Sequence, residues 1–198
     1  NAGIDTPING VLVHSETAPN TLYVFSARRV YRSDDGASNW TDRTPAGGLL
    51  PPDSGFVAAA TSKTTPGRLY AALSDGTLLR TDDSGLNWST VSPALGLAAN
   101  EQVWTMATHP VNAGELLVSV SDRSGANAHR LLRVTGAGTA GGANAVDVAC
   151  PAGCPWELSE LRDIEFAGAA GRVWATAFGG AARSDDFGAT WTVTSGGG

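Results

Sequence analysis

The feature that most constrains this chain is a repeat with a period of about 47 residues. A turn followed by a short apolar strand recurs four times, with Tyr23, Tyr70, Leu117 and Trp174 at matching positions. The first three are 47 residues apart, and the fourth follows after 57. A period of roughly 20 to 50 residues is typical of repeat proteins, in which each unit buries its apolar surface against its neighbours. We therefore expect four similar units.

Each unit has the pattern of one blade of a β-propeller. Four short apolar runs per unit are separated by turns rich in glycine and proline, of which the chain has 25 and 10. No segment keeps a helical period of about 3.6 residues, so almost no helix is expected. Propeller blades are four-stranded antiparallel sheets. The sequence predicts an all-β fold over residues 1–198, with four blades at approximately 9–47, 55–94, 102–149 and 161–195.

A second repeated stretch follows the third strand candidate in three of the four units. It has the form Ser/Thr-x-Asp-x-Gly-x-Asn/Thr-Trp at 81–88 and 184–191, and a looser copy at 33–40 has Ala37 in the glycine position. We expect its aspartate to accept hydrogen bonds from backbone N–H groups, its glycine to allow a positive φ, and its tryptophan to anchor the outer strand. The residues given this structural role are Ser33, Asp35, Trp40, Thr81, Asp83, Gly85, Trp88, Ser184, Asp186, Gly188 and Trp191.

This stretch resembles the Asp-box, or BNR repeat, of sialidases, sortilin-type receptors and xyloglucan-cleaving glycoside hydrolases. The resemblance implies a β-propeller and carries little chemistry, because those families share the fold without sharing an activity. In them the box lies away from the active site, so we do not interpret it as catalytic. The sialidase Arg-Ile-Pro motif has its nearest match at 43–45, which follows a box tryptophan and is thus in the wrong place.

An arginine also recurs just before the box or its remnant. A ring of such arginines could bind an anion, but one residue type at one blade position is explained more simply by a repeated structural contact. We favour the structural interpretation for these four residues, which are Arg32, Arg80, Arg133 and Arg183.

The third unit departs from the pattern and directs the search for a binding site. It lacks the box, carries an insertion at 122–129, and leaves through a long connector at 141–156. If the boxes mark one face of the propeller, this insertion and this connector lie together on the other face. Variable loops on a rigid scaffold often carry binding. The binding candidates are Arg123, Asn127, His129 and Trp156, and the alternative is a tolerated insertion without a role.

Composition excludes several classes of partner. The net charge is −6 and Lys63 is the only lysine, so a nucleic-acid surface is not expected. No apolar run reaches the ~20 residues of a membrane helix. The aspartates of the boxes have too few oxygen ligands around them for a calcium loop, so we expect no metal and no cofactor. Cys150 and Cys154 favour a local disulfide and an extracellular or periplasmic location, with two free thiols as the alternative.

Two classes of function are consistent with these features. The first is a secreted, non-catalytic recognition or structural module that binds protein or carbohydrate. The second is a fragment or relative of an Asp-box glycoside hydrolase, which needs two carboxyl groups about 5–10 Å apart across a cleft on the face away from the boxes. The acids available for that chemistry are Asp53, Glu101, Glu157, Glu160, Asp163 and Glu165. For the ring itself, four blades could close alone, or further blades or a second copy could complete it.

Overall fold

The chain folds into four separate four-stranded antiparallel sheets, which confirms the predicted all-β fold of propeller blades. The computed structural model describes residues 10–91, 95–124, 129–139, 141–148, 161–168, 171–178 and 180–194. Blade 1 contains β1 (Val11–His14), β2 (Leu22–Phe25), β3 (Val30–Ser33) and β4 (Thr41–Asp42). Blade 2 contains β5 (Phe56–Thr61), β6 (Leu69–Leu73), β7 (Leu78–Thr81) and β8 (Ser89–Val91).

The other two blades repeat this plan. Blade 3 contains β9 (Glu101–Thr108), β10 (Leu116–Asp122), β11 (Arg130–Thr135) and β12 (Asn144–Asp147). Blade 4 contains β13 (Leu161–Phe166), β14 (Val173–Ala177), β15 (Gly180–Ser184) and β16 (Thr192–Thr194). Each strand pairs with the next along the chain, so every blade is a simple meander. In the ranges described above, no helix is long and apolar enough to cross a membrane.

The first strands of consecutive blades pack side by side around a central channel. β1 contacts β5, β5 contacts β9, and β9 contacts β13. Alanines such as Ala59 and Ala60 in β5 leave room for this close approach, because they bring little side-chain volume to a crowded axis. Matching hydrogen bonds join the ends of these strands: Thr61 Oγ1 donates to the His14 carbonyl at 2.8 Å, and Thr108 Oγ1 donates to the Thr61 carbonyl at 2.7 Å.

Three apolar cores lie between the blades rather than within them. The core between blades 1 and 2 includes Tyr23 and Phe25, and the core between blades 2 and 3 includes Tyr70. The core between blades 3 and 4 includes Leu117 and Phe187. A single sheet has two faces and can bury neither alone, so each blade depends on its neighbours for its hydrophobic stabilisation.

The turn between the third and fourth strands has one geometry in the three blades that carry the repeated stretch. In blade 2 the Asp83 carboxylate accepts hydrogen bonds from the Asn87 backbone N–H at 2.8 Å and from the Asn87 amide at 2.7 Å, and Gly85 N–H donates to Thr81 Oγ1 at 2.9 Å. Asp35 with Asn39, and Asp186 with Thr190, form the same arrangement. These turns at 34–40, 82–88 and 185–191 are called box turns below.

Positive φ angles recur at the position expected for glycine in each box turn. The values are 87° at Gly85 and 73° at Gly188, and Ala37 takes the same position in blade 1 with 75°. A Cβ atom on Gly188 would lie 3.0 Å from Leu117 Cδ2 of blade 3, and one on Gly85 would lie 2.9 Å from Arg43 Cβ of blade 1. The glycine therefore serves both the backbone turn and the contact with the preceding blade.

Blade 3 keeps the position of this turn without its aspartate. Ala137 N–H donates to the Gly114 carbonyl at 2.9 Å, just as Ser84 N–H donates to Gly67 in blade 2 at 2.8 Å. The recurring arginine also reaches forward, since Arg80 Nη1 donates to the Ala137 carbonyl at 2.8 Å. Arg133 of blade 3 lies over the Phe187 ring of blade 4, 4.8 Å from its centroid. These contacts agree with a structural role for the arginines.

Replacing Gly188 by alanine should destabilise the fold more than replacing Gly36. Both residues have positive φ, 73° and 66°, so each variant carries the cost of a left-handed alanine, about 1–2 kcal/mol. Only at position 188 would the new methyl group also crowd Leu117, and Gly36 has nothing within 4 Å of such an atom. We expect a further loss of roughly 1 kcal/mol for Gly188→Ala. Urea unfolding measures both values, and equal losses would contradict the packing role.

The box aspartates should make the free energy of unfolding depend on pH in the acidic range. Hydrogen bonds from the Asn39 side chain and backbone lower the pKa of Asp35 from 3.8 to about 2. Burial alone would raise the pKa of Asp83 and Asp186, but hydrogen bonds from their neighbours outweigh it and lower both. A carboxylate with a lowered folded-state pKa stabilises the protein above its unfolded pKa, and this contribution is lost as the pH falls through the folded value.

The urea midpoint should therefore fall between about pH 5 and pH 2, and Asp186→Asn should reduce that fall. Asp53→Asn is the matched control, since Asp53 is exposed and lies outside any box turn. Equal acid sensitivity in the two variants would show that the box carboxylates are not responsible.

Candidate functional site

The two ends of the blades form two different faces of the molecule. Because neighbouring strands are antiparallel, the box turns share one end with the turns between first and second strands, and we call this end the box face. The other end carries the starts of the first strands, the turns between second and third strands and the connectors between blades. We call it the opposite face, and it is where the sequence predicts binding.

An exposed stack of three side chains crosses from blade 3 to blade 4 on the opposite face. The Arg162 guanidinium carbon lies 5.4 Å from the centroid of Trp104 and 4.2 Å from that of Phe178. Trp104 is 38% exposed and Phe178 is 78% exposed. Arginine packed on aromatic faces is held by cation–π attraction, and both rings still present apolar surface to solvent. Trp104, Arg162 and Phe178 together are called the aromatic patch.

A cleft continues from the aromatic patch along the mouth of the central channel. Trp104 forms part of its wall, and Arg123 stands at its edge with an exposed side chain. Most of the remaining wall is apolar or backbone, and it is formed by Gly10, Val11, Phe56, Val57, Gln102 and Val103. The wall of the cleft is thus formed mainly by the first strands of blades 1, 2 and 3. The apolar cores between the blades hold these strands in place.

The sequence-predicted binding residues are only partly brought together. Arg123 lies on the opposite face, and its backbone N–H donates to the Asn100 carbonyl at 2.8 Å. His129 is half-buried, and its Nδ1 is enclosed without a hydrogen-bond partner in the described part of the chain. Asn127 and Trp156 lie outside the described residues. The binding role of all four stays a prediction, and so does the Cys150–Cys154 disulfide, which also lies outside the described residues.

Two acidic residues near the cleft, Glu101 and Asp147, form ion pairs with one arginine, Arg130. Arg130 donates to Glu101 through Nε at 2.8 Å and through Nη2 at 2.7 Å, and its Nη1 donates to Asp147 at 2.8 Å. Burial alone would raise the pKa of Glu101, but the hydrogen bonds from Arg130 and from the Ala98 backbone outweigh it and lower the pKa. A general acid for glycoside hydrolysis needs a raised pKa, so Glu101 is poorly suited to that role.

The remaining candidate acids in the described ranges are Asp53, Asp163 and Glu165. Asp53 is exposed, and Asp163 accepts a hydrogen bond from the Ile164 backbone at 2.9 Å. Glu165 lies near the box face, 3.3 Å from Lys63 Nζ, which is also 3.8 Å from Glu16. Glu157 and Glu160 lie outside the described residues. Within those ranges no group of three or more His, Cys, Asp or Glu residues could hold a metal ion.

Two features of the sequence could have revealed the aromatic patch. Trp104 is a large aromatic residue in a first strand, where blade 2 has the run Val-Ala-Ala-Ala at 57–60. Phe178 stands in a tight turn directly before a pair of glycines. A single exposed apolar residue is common, so these features indicate a contact surface only when the fold brings the two rings together. Arg162 carries no comparable signal, because only its packing distinguishes it from other surface arginines.

Comparison with known proteins supports the fold and not an activity. No family model matches the sequence, and no curated protein matches it. The structure is similar to YCF48 from Cyanidioschyzon merolae, with a TM-score of 0.62 and 14% identity over 98% of this chain and 59% of that one. It is also similar to the GH74 xyloglucanase from Xanthomonas campestris, with a TM-score of 0.67 and 17% identity over 93% of this chain and 29% of that one.

A third similar structure is the β-propeller domain of Cps50 (Swd1) from Myceliophteria thermophila, with a TM-score of 0.65 and 10% identity over 98% of this chain and 58% of that one. The chain therefore spans less than two thirds of the length of these proteins. They are β-propellers with different roles, and one further structure is of YCF48 bound to a D1 peptide. The comparisons support a fold built from propeller blades.

Proposed function

We propose that the chain is a non-catalytic recognition module that binds a protein segment at the aromatic patch and the adjoining cleft. The observation that carries this proposal is the stacking of Arg162 between Trp104 and the largely exposed Phe178. Tryptophan and arginine are enriched among the residues that dominate protein interfaces. Exposed rings held in a fixed stack are the kind of anchor that such interfaces use.

The surroundings of the patch favour a protein ligand over a carbohydrate. The cleft wall is apolar along Val11, Phe56 and Val57, and it suits the aliphatic or aromatic side chains of a peptide. A sugar site needs several polar groups directed at hydroxyls, and Gln102 and Arg123 are the polar side chains of this wall. The exposed Arg123 side chain at the edge of the cleft offers a cationic group to a carboxylate of a protein partner.

The non-catalytic part of the proposal rests on the state of the described acids. Glu101 and Asp147 are both engaged by Arg130 on the opposite face. Glu165 is paired with Lys63 near the box face, far along the channel from the cleft. Neither arrangement supplies a free acid opposite a free base, as the glycoside hydrolase alternative requires.

Peptide selection tests the binding proposal. The immobilised chain should enrich peptides with apolar or aromatic residues from a random displayed library, whereas a glycan array should give no binding. For an enriched peptide, Phe178→Ser should raise Kd by about tenfold or more, as expected for an interface anchor. Leu86→Ser is the matched control, because Leu86 is 63% exposed in a box turn on the other face. Glycan binding without peptide binding, or equal effects of the two variants, would overturn the proposal.

We also propose an extracellular or periplasmic location, based on a disulfide between Cys150 and Cys154. The two cysteines are separated by Pro-Ala-Gly, a spacing that allows a local bridge. Mass spectrometry after alkylation should add no label to the chain purified from an oxidising compartment, and should add two after reduction. Two labels without reduction would remove the basis of this proposal.

A further inference from the structure

Every blade has a leading face, which meets the preceding blade, and a trailing face, which meets the following one. On the leading face, one residue from each of the first three strands forms a row of cross-strand partners. In blades 2, 3 and 4 all nine residues of these rows are at most 7% exposed. The rows are Ala59–Ala71–Leu79, Met106–Val118–Leu132 and Ile164–Ala175–Ala182.

Blade 1 has the same apolar row, but the row is open along its first and third strands. Its members by register are Leu12, Val24 and Tyr31. Leu12 is 63% exposed and Tyr31 is half-buried, although the matching residues in the other blades are buried. An exposed leucine on its own is common, but a leucine in a row that is buried three times elsewhere marks a blade interface left open.

The trailing face of blade 4 is open in the same way. Tyr23–Arg32, Tyr70–Arg80 and Leu117–Arg133 are cross-strand pairs whose apolar members are at most 2% exposed. The fourth pair is Trp174–Arg183. Trp174 is only half-buried, and the Arg183 side chain is 40% exposed, compared with 13% for Arg80. The Trp174–Arg183 pair thus has the position of a pair that packs on a following blade, but it is accessible to solvent.

Within the described residues, the open rows of blades 1 and 4 do not pack against each other. β1 packs on β5 and β13 packs on β9, and no comparable packing joins β13 to β1 among the described residues. The superposition on three longer propeller chains, over 93–98% of this chain, agrees with an open arc of blades rather than a complete small ring. A complete ring therefore needs two further blade faces. One must be a trailing face that packs on the leading face of blade 1, and the other must be a leading face that packs on the trailing face of blade 4.

We propose that a second copy of this chain supplies both surfaces, and that two arcs form one eight-bladed ring. The Trp174–Arg183 pair of one copy would pack on the Leu12–Val24–Tyr31 row of the other, following the rule that joins the blades within the chain. The two contacts are then identical and related by a two-fold axis, so the ring closes. Propellers typically have roughly four to eight blades, so the resulting number is within the range of the architecture.

The mass of the 198-residue chain in solution tests this proposal. Light scattering after size-exclusion chromatography should give twice the chain mass of 20.2 kDa. Leu12→Asp should return the mass to one chain, because a carboxylate would be buried in each of the two contacts. Leu86→Asp is the matched control, since Leu86 has the same 63% exposure but lies in a box turn. It should leave the mass at two chains.

Trp174→Glu provides an independent variant on the trailing face, and it should also give the mass of one chain. Circular dichroism of both variants should match that of the original chain, because each altered side chain is exposed or half-exposed at an open face. A wild-type mass of one chain at every concentration would overturn the proposal and indicate that other blades complete the ring. A two-chain mass that survives both variants would overturn it as well, because the copies would then meet elsewhere.

Discussion

The fold depends on face-to-face packing between sheets that are too small to be stable alone. A four-stranded blade with strands of two to eight residues has two broad faces and almost no interior. Its stability comes from apolar rows that fit between neighbours, such as Ala59 and Ala71 of blade 2 beneath Phe25 of blade 1. Because that packing requires close approach, small residues such as the alanines of β5 fit between the first strands of neighbouring blades.

The box turns connect stability within a blade to stability between blades. The aspartate organises the turn through backbone and side-chain donors, while the glycine two residues later brings the turn against the preceding blade, as Gly188 does against Leu117. Blade 3 separates these two functions. It has lost the aspartate and the tryptophan, yet Ala137 still makes the backbone hydrogen bond and still receives Arg80 from blade 2. The contact between blades is therefore the feature that the architecture retains when the local motif is absent.

Much of the fold could be predicted because each blade is determined by short-range sequence patterns, and these patterns are repeated along the chain. The period of Tyr23, Tyr70 and Leu117 reports the register of each second strand, and the arginine that follows is its cross-strand partner. The face that carries Arg123 also follows from the alternation of strand direction. The aromatic patch could not be predicted in the same way. Its three residues belong to separate strands or turns of two blades, and their stacking depends on the angle between those blades.

The position of the aromatic patch across two blades has a consequence for the entropy of recognition. Arg162 and the two rings already hold one another in place, so a ligand that contacts them need not restrict three mobile side chains on arrival. Ordering a long side chain such as arginine costs up to about 2 kcal/mol, and here the fold has met that cost before any encounter. In the proposed binding module, this surface would therefore be arranged before the partner arrives, and the selectivity would depend on the shape and flexibility of the partner.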